Sequence, residues 1–112
     1  MNMGMGYKVV YTQESEQDLI NIYRYIAINL SVPETAKRQT DRIMKAIEGL
    51  DEMPRRHKLY QNEPWHSKGL RVLPVDNYLV FYITLEEEKM VAIVRIMYGG
   101  RNIELQLSST KI

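Results

Sequence analysis

The sequence predicts one α+β domain ordered β-α-α-β-β-β, in which a helical hairpin packs on one face of a twisted, mainly antiparallel sheet. Three observations predict it. Two early stretches carry apolar residues at helical spacing, three later stretches are rich in β-branched and aromatic residues parted by turn signals, and 112 residues suffice for one core but not two. A helical hairpin and a sheet that are each apolar on one side bury both sides by packing face to face.

Tyr7-Lys8-Val9-Val10-Tyr11-Thr12 reads as the first strand, and Thr12 or Ser15 offers the N-cap of a first helix. On that helix Leu19, Ile22, Tyr23, Ile26 and Leu30 form the expected buried stripe, with Glu14, Asp18, Asn21 and Arg24 elsewhere on the wheel. Asn29-Leu30-Ser31-Val32-Pro33 interrupts the period. Pro33 suits the first turn of a second helix, where a backbone N–H would have no partner in any case. Ala36, Thr40, Ile43, Met44, Ile47 and Leu50 give this helix its apolar face, and Met53-Pro54 ends it.

Residues 55 to 69 are basic, polar and aromatic without a period, so they read as a loop entering a strand near Gly69. Strands are expected over residues 70 to 75, 78 to 85 and 90 to 98. Asp76-Asn77 tolerates the positive φ of a tight hairpin, and Glu86-Glu87-Glu88-Lys89 is too charged to enter a core. Residues 1 to 6 are expected to be a flexible leader, 7 to 107 the domain and 108 to 112 a tail.

Composition excludes some chemistry. Without cysteine there is neither a disulfide framework nor a thiolate nucleophile, which is consistent with a reducing cytoplasm. No run is long and apolar enough to suggest a membrane span or signal peptide, and nothing points to a metal or cofactor. The formal net charge is only +1, yet residues 53 to 71 hold Arg55, Arg56, Lys58, Lys68 and Arg71 against the one acid Glu63. Such a focused basic segment could meet phosphate.

Metal-free cleavage of RNA needs a base for the 2′-hydroxyl proton, cations for the charge on phosphorus and an acid for the leaving oxygen. Glu63, His57 and His66 could act as acid or base, and Arg71, Arg95 and Arg101 as phosphate clamps. Tyr98 could donate a proton or stack on a base. Arg95 stands out because it interrupts the apolar run Val91-Ala92-Ile93-Val94-Arg95-Ile96-Met97, where a charge needs either a partner or an open face. Gly99-Gly100-Arg101 lacks the longer pattern of a phosphate-cradling loop and reads as a turn ending the strand. Trp65 reads as an anchor holding the loop to the sheet.

The chain carries, in order, the opening strand with Gln17-Asp18-Leu19 and Ile22-Tyr23, Glu63-Pro64-Trp65, Gly69 to Val75, Tyr78-Leu79-Val80-Phe81-Tyr82, and Arg95 to Ile103. In this order and spacing these stretches resemble the RelE/ParE family of bacterial toxins. The resemblance implies the same α+β fold with the first strand joining the sheet, a cognate antitoxin partner and action in the cytoplasm. It leaves two targets open. The RelE branch implies ribosome-dependent mRNA cleavage, with Arg71, Arg95, Tyr98 and Glu63 as catalytic residues. Arg55, Arg56, Lys58, His66, Lys68 and Arg101 would then be its phosphate contacts. The ParE branch implies non-catalytic inhibition of DNA gyrase, and a degenerate member retaining only antitoxin binding is a third course. Leu79 stands three residues before the central tyrosine, Tyr82, where mRNA-cleaving relatives usually carry arginine. Met97-Tyr98 replaces the His-Tyr of some of them, and the chain ends in the manner of the ParE branch. Cleavage is placed first, narrowly, on the charged constellation.

Overall fold

Strand β1 (Lys8–Tyr11) opens the fold of the computed structural model, which describes residues 6–100 and 102–112. Most of the expected leader and all of Arg101 lie outside the described residues. Helix α1 (Gln13–Arg24) is capped by Thr12, whose hydroxyl oxygen accepts from the Ser15 N–H at 3.2 Å while the hydroxyl donates to Ile93 O at 2.8 Å. One side chain therefore ends the strand, starts the helix and ties both to the sheet. A π-helical turn (Tyr25–Asn29) and a left-handed Ser31 reverse the chain, and Pro33 starts α2 (Pro33–Glu48). Short 3₁₀ turns at Gly49–Asp51 and Pro54–Arg56 follow.

Ala36, Thr40, Ile43 and Ile47 of α2, and Leu50 after it, are buried as expected. The stripe expected on α1 is narrower than the sequence suggests. Ile26 is buried and Leu19 and Ile22 pack against the core, but Tyr23 is 41 % and Leu30 53 % exposed. At 3.6 residues per turn, Ser15, Leu19 and Ile22 fall within about 60° of arc, and Tyr23 lies about 70° from its middle. Tyr23 therefore sits on the outer shoulder beside Thr40 and Met44. The π turn then adds a residue to the repeat and carries Leu30 off the stripe.

The sheet has the order β1-β4-β3-β2, with β2 (Arg71–Val75), β3 (Tyr78–Leu85) and β4 (Met90–Tyr98). The β2-β3 and β3-β4 pairs are antiparallel, and β1 joins β4 in parallel. Asp76 and Lys89 take positive φ at the two hairpin turns. A bulge between Phe81 and Tyr82 sets Phe81 opposite Arg95 and Tyr82 opposite Ile93, so Val94 is the extra residue and the alternation of β4 shifts there.

Both sheet faces are covered. The helical side holds Ile43, Ile47, Val80, Tyr82, Val91 and Ile93 in its core, and the opposite side holds Trp65, Leu70, Phe81, Val94, Met97 and Leu107. This explains why β3 and β4 read as unbroken apolar runs rather than alternating ones. Trp65 anchors the loop as expected, buried edge-on to Tyr60. Leu107 belongs to a third helix, α3 (Ile103–Ser108), in a region read from sequence only as the end of the domain. Its one local signal is Asn102, which caps it by accepting from the Leu105 N–H at 3.4 Å.

Candidate functional site

The two outer edges of the sheet are managed differently. Along β2, Val72 N–H donates to Lys58 O at 3.0 Å, Tyr60 N–H donates to Leu70 O at 2.7 Å, and exposed Pro74 removes a donor. On the other side β1 reaches only Ile93, so β4 runs past it from Val94 to Tyr98. The Ile96 N–H turns toward this open side and donates to Asp18 Oδ2 at 2.8 Å. Alternation of the strand aims the main-chain groups of Tyr98 the same way, whereas Gly99 N–H turns back to Asn77 O at 2.8 Å.

A groove of about 860 Å³ lies along this open end. Ile22, Tyr25, Leu30 and Val32 from the helical hairpin form one wall, and Tyr78, Met97 and Tyr98 form the other. Tyr25, Leu30, Val32 and Tyr98 are exposed, and Tyr98 stands edge-on to Tyr78 at 5.7 Å between ring centres. The π turn that spoils the stripe on α1 is thus what carries apolar side chains to the rim.

Arg95 also lines the groove and is already occupied. Its Nε and Nη2 donate to the two carboxylate oxygens of Asp18 at 2.7 and 2.8 Å, and Nη1 donates to Thr110 Oγ1 at 2.9 Å and more weakly to Gln106 O at 3.5 Å. The two side chains are 15 % and 12 % exposed. The hydrogen bond to Asp18 raises the guanidinium pKa further above its usual value, against the opposing effect of burial. Asp18, which comes from α1 rather than from a neighbouring strand, is the residue that sequence reasoning missed. An acid bordering a buried helical stripe, with a lone arginine in an apolar strand, is the signal that could have paired them.

Arg71 is engaged elsewhere. On β2, next to Tyr82 of β3, it donates through Nη1 to His57 O at 2.7 Å and Arg55 O at 3.3 Å. Tyr82 donates from its buried hydroxyl to Pro54 O at 2.6 Å, and burial pushes its pKa up to about 12. These bonds fasten the Pro54–His57 segment to the sheet. His57 meets the Tyr82 ring edge-on, with Nε2 buried and lacking a hydrogen-bond partner, and burial with the nearby Arg56 charge lowers its pKa.

The remaining candidates are dispersed. Arg55 faces Glu86 at 3.4 Å, Arg56 donates to the carbonyls of Glu52 and Met53, and Lys58 is exposed. Glu63 accepts from the Ser67 hydroxyl at 2.7 Å and the Ser67 N–H at 3.0 Å, which lowers its pKa, and His66 stands 3.7 Å away. Lys68 reaches Ile112 O at 3.5 Å. Each of Glu63, Arg71 and Arg95 thus bonds to different partners, and among the described candidates only Arg95 and Tyr98 share the groove. Among the described residues, no group of three or more acidic or histidine side chains is placed to hold a metal ion, and no helix is long and apolar enough to cross a membrane.

The family model for the ParE toxin of the type II toxin-antitoxin system parDE matches residues 9–103. The chain belongs to this family. It is therefore a type II toxin of the wider ParE/RelE group. The fold agrees with that of a chain in the chromosomal ParDE system of P. aeruginosa, at a TM-score of 0.68 and 20 % identity over 86 % of this chain and 98 % of that one. It also agrees with a chain in the RelBE2 toxin-antitoxin complex of Mycobacterium tuberculosis, at a TM-score of 0.62 and 20 % identity over 83 % of this chain and 98 % of that one. No curated protein matches the sequence. Membership in the ParE family thus rests on the matched span, and the two structures establish the fold.

Proposed function

We propose that this ParE-family toxin arrests growth by binding a protein rather than by cutting RNA, with DNA gyrase as the target its kinship suggests. One observation carries this reading: the charge that most resembled a catalytic cation, Arg95, is spent on a two-point ion pair with Asp18. A transition-state clamp must be free to meet charge as it develops, and one such contact is worth about 10²- to 10³-fold in rate. Leu79 points the same way, since it leaves no arginine three residues before Tyr82. Binding requires no such constellation. It uses surfaces such as the groove, whose exposed aromatic and aliphatic rim, beside the stretch of β4 that β1 does not reach, suits an extended or helical protein segment.

Both solved relatives belong to toxin-antitoxin systems, and by analogy a cognate antitoxin silences this chain, with the groove as its seat. Gyrase and ribosomes are cytoplasmic, so the site of action is the cytoplasm. mRNA cleavage on the ribosome, favoured narrowly from sequence, ranks second here. It retains exposed Tyr98 and the surface cations Lys58 and Lys68, but Glu63 and Arg71 are each held by local bonds. Inducing the chain alone in a bacterial host and following labelled thymidine and methionine separates the two. Early loss of thymidine incorporation is expected. Early loss of methionine incorporation, with DNA synthesis continuing, overturns the order, and no arrest at all leaves a chain that only binds antitoxin.

A further inference from the structure

The C-terminal residues, from α3 onward, lie over the sheet face opposite the helical hairpin and are held by few contacts. Leu107 is their one fully buried side chain, and Ile103 and Ile112 pack beside it against the cluster of Trp65, Leu70, Phe81, Val94 and Met97. A helix of six residues, such as α3, does not hold itself together in water. The rest of the attachment is polar. Glu104 accepts from Asn62 and from the Tyr60 hydroxyl, Lys68 reaches Ile112 O, and the Arg95 guanidinium holds Thr110 Oγ1 and Gln106 O.

Arg95 is the only one of these anchors that also meets the groove. Asp18, Arg95 and Gln106 all line it, and Asp18 fixes the guanidinium in the orientation from which Nη1 reaches Thr110. Asp18 makes no hydrogen bond to the C-terminal segment itself. We propose that Arg95 is a latch between the groove and a detachable C-terminal strap, residues 103–112, so that drawing Asp18 or Arg95 toward a groove-bound partner frees the strap and uncovers the apolar sheet face beneath it. The partner's role rests on the protein-binding function proposed above. The latch itself does not, and it can be tested on the chain alone.

The test is amide hydrogen exchange of the intact protein, comparing wild type with Asp18→Asn. The substitution keeps the shape of the side chain but weakens its hold on Arg95 without touching the strap. Exchange at Leu105 to Thr110 is expected to quicken about tenfold, as befits the loss of one charge-assisted hydrogen bond, while Val80, Phe81 and Val91 stay protected. Unchanged exchange in the strap, or equal quickening in strap and core, overturns the latch. Should Asp18→Asn fail to fold, Thr110→Val removes the strap side of the bond, together with the bond that the Thr110 hydroxyl donates to Gln106 O at 2.8 Å. Selective quickening over residues 105–110 is again expected, and its absence refutes the proposal. A latch that passes while growth arrest proves to be RNA cleavage would leave the strap standing and remove only the protein partner.

Discussion

Arg95 and Arg71 look alike in the sequence, each a cation beside apolar strand residues, yet the structure uses them oppositely. Arg95, at the end of the sheet that β1 leaves open, is closed on the buried carboxylate of Asp18. Among the described residues Arg71, at the far edge, bonds only to the carbonyl oxygens of Arg55 and His57 and pairs with no acid. The cation beside a carboxylate ties helix α1 to the end of β4, whereas the one beside carbonyls positions a loop. The difference should appear first in stability. Arg95→Ala leaves the largely buried Asp18 carboxylate without its cation and is expected to cost about 3–5 kcal/mol. Arg71→Ala frees two carbonyls and is expected to cost about 1–3 kcal/mol. Urea unfolding of both variants measures the gap, and equal losses would break the comparison.

Near Arg71, a smaller effect is expected from Tyr82→Phe, which leaves Pro54 O without its buried donor. The cost is about 1–2 kcal/mol by thermal or urea unfolding. At the open end, Tyr25→Asp sets a charge on the exposed rim of the groove. It is expected to leave the melting temperature within error of wild type while preventing co-purification with the cognate antitoxin. Retained capture would move the antitoxin to another surface.

The fold was largely legible because its signals are local. Pro33 at the helix start, the apolar face of α2 and the turns at Asp76-Asn77 and Lys89 are each set by a few neighbouring residues. Tyr23 and Leu30 misled because their exposure depends on the width of the buried arc and on a π turn, neither of which is a matter of composition. α3 escaped notice because six residues have too little period to announce a helix, and its burial depends on a sheet face assembled by distant strands. The same limit applies to the site. Residue types suited to phosphate chemistry were visible, but the pairing of Asp18 with Arg95 spans 77 positions of sequence and is fixed only by where α1 crosses the end of β4.

The loop near Arg71 also carries a pH effect on the acid side of neutrality. The pKa of His57 lies below the ordinary histidine value of 6.5, through burial first and the Arg56 charge second. The unfolded chain therefore takes up this proton at higher pH than the folded one. The folded state has its full stability from this group above pH 6.5 and loses part of it as pH falls from there toward the depressed value. His57→Asn is expected to flatten that stretch of the stability curve. An unchanged slope would show that other groups set it.

The most direct test of binding rather than cutting is to incubate the purified chain in excess with bacterial ribosomes carrying a defined mRNA and map the message ends by primer extension. The message is expected to remain full length, and the same outcome is expected for Tyr98→Ala and Arg71→Ala. A new end within the ribosomal A site, produced by the wild type and lost in either variant, would contradict the account and restore the catalytic assignment of those residues.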